Sequence, residues 1–234
     1  MIERQTHLRI VTGLLSRFPV VGLLGARQAG KTTLAVALGR AFKGEVTRFD
    51  LEDPAAIVRL ADPMLALSGL QGLVILDEIQ HRPKLFASLR VLADRRPVRA
   101  RFPVLGSASP QLQRQSAESL AGRIAYHFLP GLGLAEVPAR SWNRLWLRGG
   151  FPRAFLARSE AVSFEWRQQF LRTFLERDLP QLGIAAGVQA IHRFWSMLAH
   201  PGNASSSTRS SRHSKLPRMS ATTGAPMQVP SWIC

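Results

Sequence analysis

The nine residues Gly25-Ala26-Arg27-Gln28-Ala29-Gly30-Lys31-Thr32-Thr33 limit what this chain can fold into more than any other feature. A short apolar run, Pro19-Val20-Val21-Gly22-Leu23-Leu24, comes before them, and Leu34, Val36, Ala37 and Leu38 follow in a helix expected from Lys31 to Ala41. Strand, glycine-bounded turn and helix in that order make a phosphate-binding loop, the P-loop pattern. Its backbone N–H groups wrap an anion, and the helix N-terminus adds partial positive charge. The glycines let the backbone curl tightly. Lys31 is expected to reach the β- and γ-phosphates of ATP, and Thr32 to offer its hydroxyl to Mg²⁺. A Gly-rich turn with an exposed lysine is the bland alternative, and the flanking strand and helix weigh against it.

A P-loop that hydrolyses its nucleotide needs carboxylates. Gly72-Leu73-Val74-Ile75-Leu76 reads as a strand buried on both faces, and it ends abruptly in Asp77-Glu78. Asp77 is expected to hold the Mg²⁺ shell, and Glu78 to orient and deprotonate water. Ser107 ends another apolar run, Phe102-Pro103-Val104-Leu105, with Ser109 close by; it is placed to set a hydroxyl near the γ-phosphate, although Gly-Ser alone is an ordinary turn. Arg123 has three readings: transition-state stabiliser within the chain, finger into a neighbouring copy, or surface ion pair. His81 has no second His or carboxylate at ligand spacing and is read as a loop or helix-start histidine.

Around these motifs the chain alternates strands and helices. Residues 3–17 read as a helix, Val46 to Asp50 as an extended stretch, Pro54 as the first turn of another helix, Lys84 to Asp94 as an amphipathic helix, and Ile124 to Phe128 as a fifth strand. This pattern predicts an α/β three-layer sandwich with a mostly parallel P-loop sheet over residues 1–136. A helical extension follows over 137–200, with one stripe through Trp166, Phe170, Phe174 and Leu171, Leu175, Leu179 and another through Val188, Ile191, Trp195 and Leu198. The helical spacing of Trp142, Trp146, Trp166 and Trp195 assigns them to a core in preference to a stacking platform for single-stranded nucleic acid.

The net charge of +16 and pI near 11.7 suit an acidic partner, and nucleic acid is the natural one. The basic residues, however, are 27 Arg against 4 Lys, scattered without a run. The only cysteine, Cys234, rules out an intrachain disulfide or a thiolate metal site and suits a reducing cytoplasm. The polar N-terminus and the lack of any window near ~20 apolar residues predict no export signal and no membrane span.

Taken together, these blocks resemble the prokaryotic AAA-type ATPases in which a P-loop domain precedes a helical segment and a poorly characterised C-terminal domain. The resemblance is carried by residues 25–33, by Leu-Asp-Glu-Ile-Gln at 76–80, Leu-Gly-Ser-Ala-Ser at 105–109, Glu-Ser-Leu-Ala-Gly-Arg at 118–123, Arg-Gly-Gly-Phe-Pro-Arg at 148–153 and Phe-Leu-Glu-Arg-Asp at 174–178. It implies that the P-loop strand is flanked by the strand ending in Ser107, which in turn neighbours the Asp77-Glu78 strand. It further implies Ser107 as a sensor and adds weight to Arg123 as a site residue; the reading of Arg123 as a finger into a neighbouring copy would require a homo-oligomer.

The likeness stops near His200. There the family continues into a winged-helix-like region, whereas residues 201–234 hold eight Ser, four Lys or Arg and no acid. That segment is expected to be disordered, with the look of a frame shift near residue 200. The expected activity is Mg²⁺-dependent ATP hydrolysis. Its rivals are a P-loop kinase, against which the Glu directly after Asp77 argues, and a non-catalytic ATP- or nucleic-acid-binding module.

Overall fold

The computed structural model describes residues 2–181 and 187–199, so the expectations for 201–234 lie outside the described residues. The chain divides into two compact units, the first running to Arg167 and the second starting at Gln168.

The first unit opens with helix α1 (Gln5–Arg17) and strand β1 (Val20–Gly25), then α2 (Lys31–Ala41), β2 (Val46–Asp50), α3 (Pro54–Arg59), α4 (Pro63–Ser68) and β3 (Gly72–Asp77). It continues with α5 (Leu85–Ala93), β4 (Ala100–Ser107), α6 (Pro110–Ser119) and β5 (Ile124–Phe128), and closes with the short helices α7 (Trp142–Arg148) and α8 (Pro152–Phe155) before α9 (Glu160–Thr173). Three helices begin by one device. Pro54, Pro63 and Pro110 each occupy the first turn, where a missing N–H costs nothing, behind the caps Asp53, Asp62 and Ser109. Ser109 is thus committed to the Leu112 N–H at 3.3 Å.

All five strands are parallel, in the order β2-β3-β4-β1-β5. Side chains alternate across a strand, and here both faces are buried. Val20, Leu24, Val74, Leu76, Phe102 and Val104 pack with α3 to α6 on one face; Val21, Leu23, Leu73, Ile75 and Leu105 pack with α1 and α2 on the other. The result is the expected three-layer α/β sandwich. Because β4 lies between β3 and β1, the C-terminal ends of the strands carrying Asp77, Ser107 and Gly25 are neighbours, with Ser107 and Gly25 directly in register.

Gly25 is required by this packing. A β-carbon there would stand 2.4 Å from the Leu129 carbonyl oxygen. Gly25→Ala is therefore expected to destabilise the fold by about 2 kcal/mol, the scale of overpacking a tight core. Equilibrium urea unfolding measures this, and an unchanged midpoint would show that the β1–β5 edge yields freely.

The second unit, over its described residues, is helical. A π-helical turn, Phe174–Asp178, joins the end of α9 to α10 (Leu179–Gln181), and α11 (Val188–Ala199) follows. The wide turn contains Glu176, whose carbonyl lies four residues before Pro180, where a proline ring crowds an α-helix. The Phe170 and Phe174 rings stack at 6.2 Å, as their stripe predicts. The side chains of Val188, Trp195 and Leu198 lie outside the described ones.

The tryptophan expectation needs correction. Trp146 is 92% exposed and Trp142 49%, so neither is a core residue. Helix α7 is only seven residues long, too short for its period to report burial. Trp166 meets the Phe151 ring at 5.8 Å.

Candidate functional site

Between β1 and α2 the backbone turns through two left-handed residues, Gln28 (φ 63°) and Gly30 (φ 97°). The second fits glycine, and the first is uncommon for a residue with a β-carbon. Ala29 is fully buried, and its N–H closes back on the Ala26 carbonyl at 3.2 Å. The loop is therefore a fixed curl on which α2 opens directly, with Lys31 as its first residue.

Lys31 is only 6% exposed, and its Nζ donates to the Gly25 and Ala26 carbonyls at 3.1 and 3.0 Å. Burial pushes its ammonium below the ordinary lysine range; the Glu78 and Asp77 carboxylates pull the other way, and Arg27 adds to the lowering. Lysine and acids thus share one electrostatic environment. Thr32 and Thr33, next on α2, are exposed. The rim of the loop carries charge as well: Arg27 lies 3.7 Å from Glu52, which also faces His81 at 3.4 Å. His81 is the end of a single 3₁₀ turn, as expected of a loop histidine.

At the end of β3, Asp77 is 2% exposed, accepting from Arg48 Nη2 at 2.8 Å and from the Glu78 N–H at 3.1 Å. A carboxylate has about four lone-pair positions, so two bonds leave capacity for more. Glu78 sits in the left-handed region at φ 56°, a strained geometry of the kind held at functional sites. The Gln80 side-chain amide donates to Glu78 Oε2, and its carbonyl accepts from the Ser107 N–H at 3.3 Å. Gln80 therefore ties the Glu78 carboxylate to the end of β4. In the sequence Gln80 lies within the Leu-Asp-Glu-Ile-Gln block with no role attached to it, and nothing singles out Arg48. Gln80 stands two residues after Glu78, a spacing that could have pointed to it.

The structure brings together Gly25 to Thr33, Asp77, Glu78 and Ser107. Arg123 is elsewhere. It precedes β5, and its carbonyl accepts from Val20 N–H, so it stands at the opposite end of the sheet, roughly 16 Å along β1 from Gly25. Its guanidinium grips Asp94 with bonds of 2.6 and 2.8 Å. A role for Arg123 in its own chain's site is excluded by that distance. The ion pair is present, holding the Asp94 carboxyl below and the Arg123 guanidinium above their ordinary ranges. Both groups are solvated, so the pair contributes little to stability.

Among the described residues no group of three or more His, Cys, Asp or Glu could hold a metal unaided. The available oxygens, the Thr32 hydroxyl and the Asp77 carboxylate, fit Mg²⁺, which keeps several waters and binds through one or two protein groups plus phosphate. No helix among the described residues is long and apolar enough to cross a membrane.

Comparison with known proteins bears on the family and the fold. A family model described as an AAA domain matches residues 17–137, and one described as a domain of unknown function matches residues 139–215. Two proteins described as uncharacterized, from Mycobacterium bovis and Mycobacterium tuberculosis, are each 51% identical over 200 residues, covering 86% of this chain. The chain spans 45% of the length of these relatives. Among solved structures, a Walker-type ATPase of Pyrococcus abyssi superposes with a TM-score of 0.50 at 14% identity, over 86% of this chain and 77% of the other, a likeness of fold.

Proposed function

The chain belongs to the AAA domain family, and from that premise we propose that it binds ATP with Mg²⁺ at Gly25–Thr33 and hydrolyses it to ADP and phosphate. The observation that carries this reading is the convergence of a buried cation, Lys31, at the start of the helix after β1, with two adjacent acids, Asp77 and Glu78, at the C-terminal end of β3, the two parallel strands being separated by β4 alone.

The loop N–H groups and the start of α2 bind the phosphates, and Lys31 exchanges its two carbonyl partners for phosphate oxygens. Thr32 and Asp77 would hold Mg²⁺, which neutralises charge on the phosphate oxygens when bound. Glu78, oriented by Gln80, accepts a proton from water while the water oxygen bonds to the γ-phosphorus and the bond to the β-phosphate oxygen breaks. Ser107, in register with Gly25, is the hydroxyl assigned to sense the γ-phosphate. Release of inorganic phosphate from Mg²⁺–ATP with no acceptor present tests the reaction. Absence of release in folded protein would leave binding alone.

Arg123, barred from its own site, suits the site of a second copy, and its half-buried position at the opposite sheet end, in an ion pair with Asp94 that solvent reaches, is compatible with that role. Arg123→Ala is expected to bind ATP normally and lose hydrolysis, and mixing it with Lys31→Ala protein to restore some turnover. No restoration, with a monomeric mass in ATP, would remove Arg123 from the reaction.

A further inference from the structure

Arg4 lies at the start of α1, far in sequence from every motif, yet it is only 8% exposed, and its side chain reaches the phosphate-binding loop. All five guanidinium N–H donors have acceptors. Nε bonds Glu136 Oε1 at 2.6 Å; Nη1 bonds the carbonyls of Ala29 at 3.2 Å and Pro130 at 2.8 Å; Nη2 bonds the Gly131 carbonyl at 3.0 Å and Glu136 Oε2 at 2.8 Å. Nη2 also stands 3.2 Å from His7 Nε2. Glu136 in turn accepts from the Gly133 N–H at 2.9 Å.

Burying a cation is costly unless it is paired and hydrogen-bonded, and this one is both. The arrangement uses the planar fork of arginine; an ammonium has three donors and no such spread. Its consequence for the loop follows from peptide geometry. In a trans peptide the C=O of Ala29 and the N–H of Gly30 point in opposite directions. With the Ala29 carbonyl fastened to Arg4, the Gly30 N–H is turned to the side away from Arg4. Gly30 is the residue on which α2 opens, where loop amides gather around an anion.

We propose that Arg4, braced by Glu136, is a positioning residue of the phosphate-binding loop: it sets the direction of the Ala29–Gly30 amide and couples the loop to the 130–136 segment that leaves β5. The link to ATP rests on the nucleotide reading above, whereas the link to loop order does not.

Two readouts separate these. Hydrogen–deuterium exchange of the nucleotide-free protein over residues 26–34, referred to exchange of the core strands, reports loop order; titration with a fluorescent ATP analogue reports its use. Arg4→Gln is expected to raise loop exchange and to weaken analogue affinity, each at least tenfold. Arg4→Lys should behave alike, because charge without the fork does not restore the carbonyl bonds. Leu89→Ala, a core truncation on α5 outside the site, supplies the comparison for a generally weakened fold, with both readouts unchanged relative to the core. Should Arg4→Gln not fold, Glu136→Gln carries the same measurement, because it weakens the brace without removing the arginine. Loop exchange at the wild-type level in folded variants, or an equal rise in Leu89→Ala, overturns the proposal. A rise in loop exchange in a protein that binds no analogue upholds the positioning and sinks the nucleotide reading instead.

Discussion

Lys31→Ala is expected to weaken ATP binding on the order of 100-fold and to leave the fold intact. The magnitude follows from chemistry: a charge-assisted bond to phosphate in a desolvated site is worth roughly twice a neutral one, and truncating one partner of a buried charge pair costs about 3 kcal/mol or more. Lys31 is almost wholly buried and held by carbonyls on the loop itself, so it is already in place when the anion arrives. The fold should survive because the apolar contacts of α2 come from Leu34, Ala35 and Leu38, which the substitution does not touch. Asp77 also keeps its ion pair with Arg48. Titration with a fluorescent ATP analogue beside thermal unfolding decides the matter. Wild-type affinity in a folded Lys31→Ala protein would remove Lys31 from the site.

What the sequence reveals here depends on whether the signal is local. The helix Lys31–Ala41 and the strands Val46–Asp50 and Ile124–Phe128 were legible to the residue, because each is bounded by a turn and carries its own pattern. Strand β4 is longer than the Phe102–Leu105 run: Arg101 interrupts the apolar pattern ahead of it, while the backbone still pairs from Ala100. Helix α6 gave no stripe, because Leu112 and Ser116 alone are buried on it. One helix was expected from Pro54, and two formed, the second restarting at Pro63 behind its own cap, Asp62.

In the site, the loop, Asp77, Glu78 and Ser107 were legible because each ends or follows an apolar run. Arg4 and Arg48 were not, as lone polar residues whose meaning lies in distant partners: Glu136 is 132 positions from Arg4, and Asp77 is 29 from Arg48. Arg123 illustrates the converse. Its block is recognisable, but the parallel register of β1 and β5 is what places it at the far end of the sheet from its own loop.

Glu78→Gln separates an ATPase from a binder. The substitution preserves side-chain shape and removes the proton acceptor, while Thr32 and Asp77 remain available to Mg²⁺. Loss of a general base costs on the order of 10²-fold or more in kcat, and nucleotide affinity should stay nearly constant because Glu78 makes no bond that binding requires. Gln80 is still able to reach the new carboxamide oxygen, so the strained turn at Glu78 keeps its tether to Ser107. A kinase or a passive nucleotide-binding module would show slow background release that this substitution does not alter. The decisive measurement is multiple-turnover phosphate release from Mg²⁺–ATP by wild-type and Glu78→Gln protein, taken beside nucleotide affinity for both. The account predicts release reduced at least 100-fold at equal affinity; equal release rates in the two proteins would contradict hydrolysis at this site and leave nucleotide binding alone.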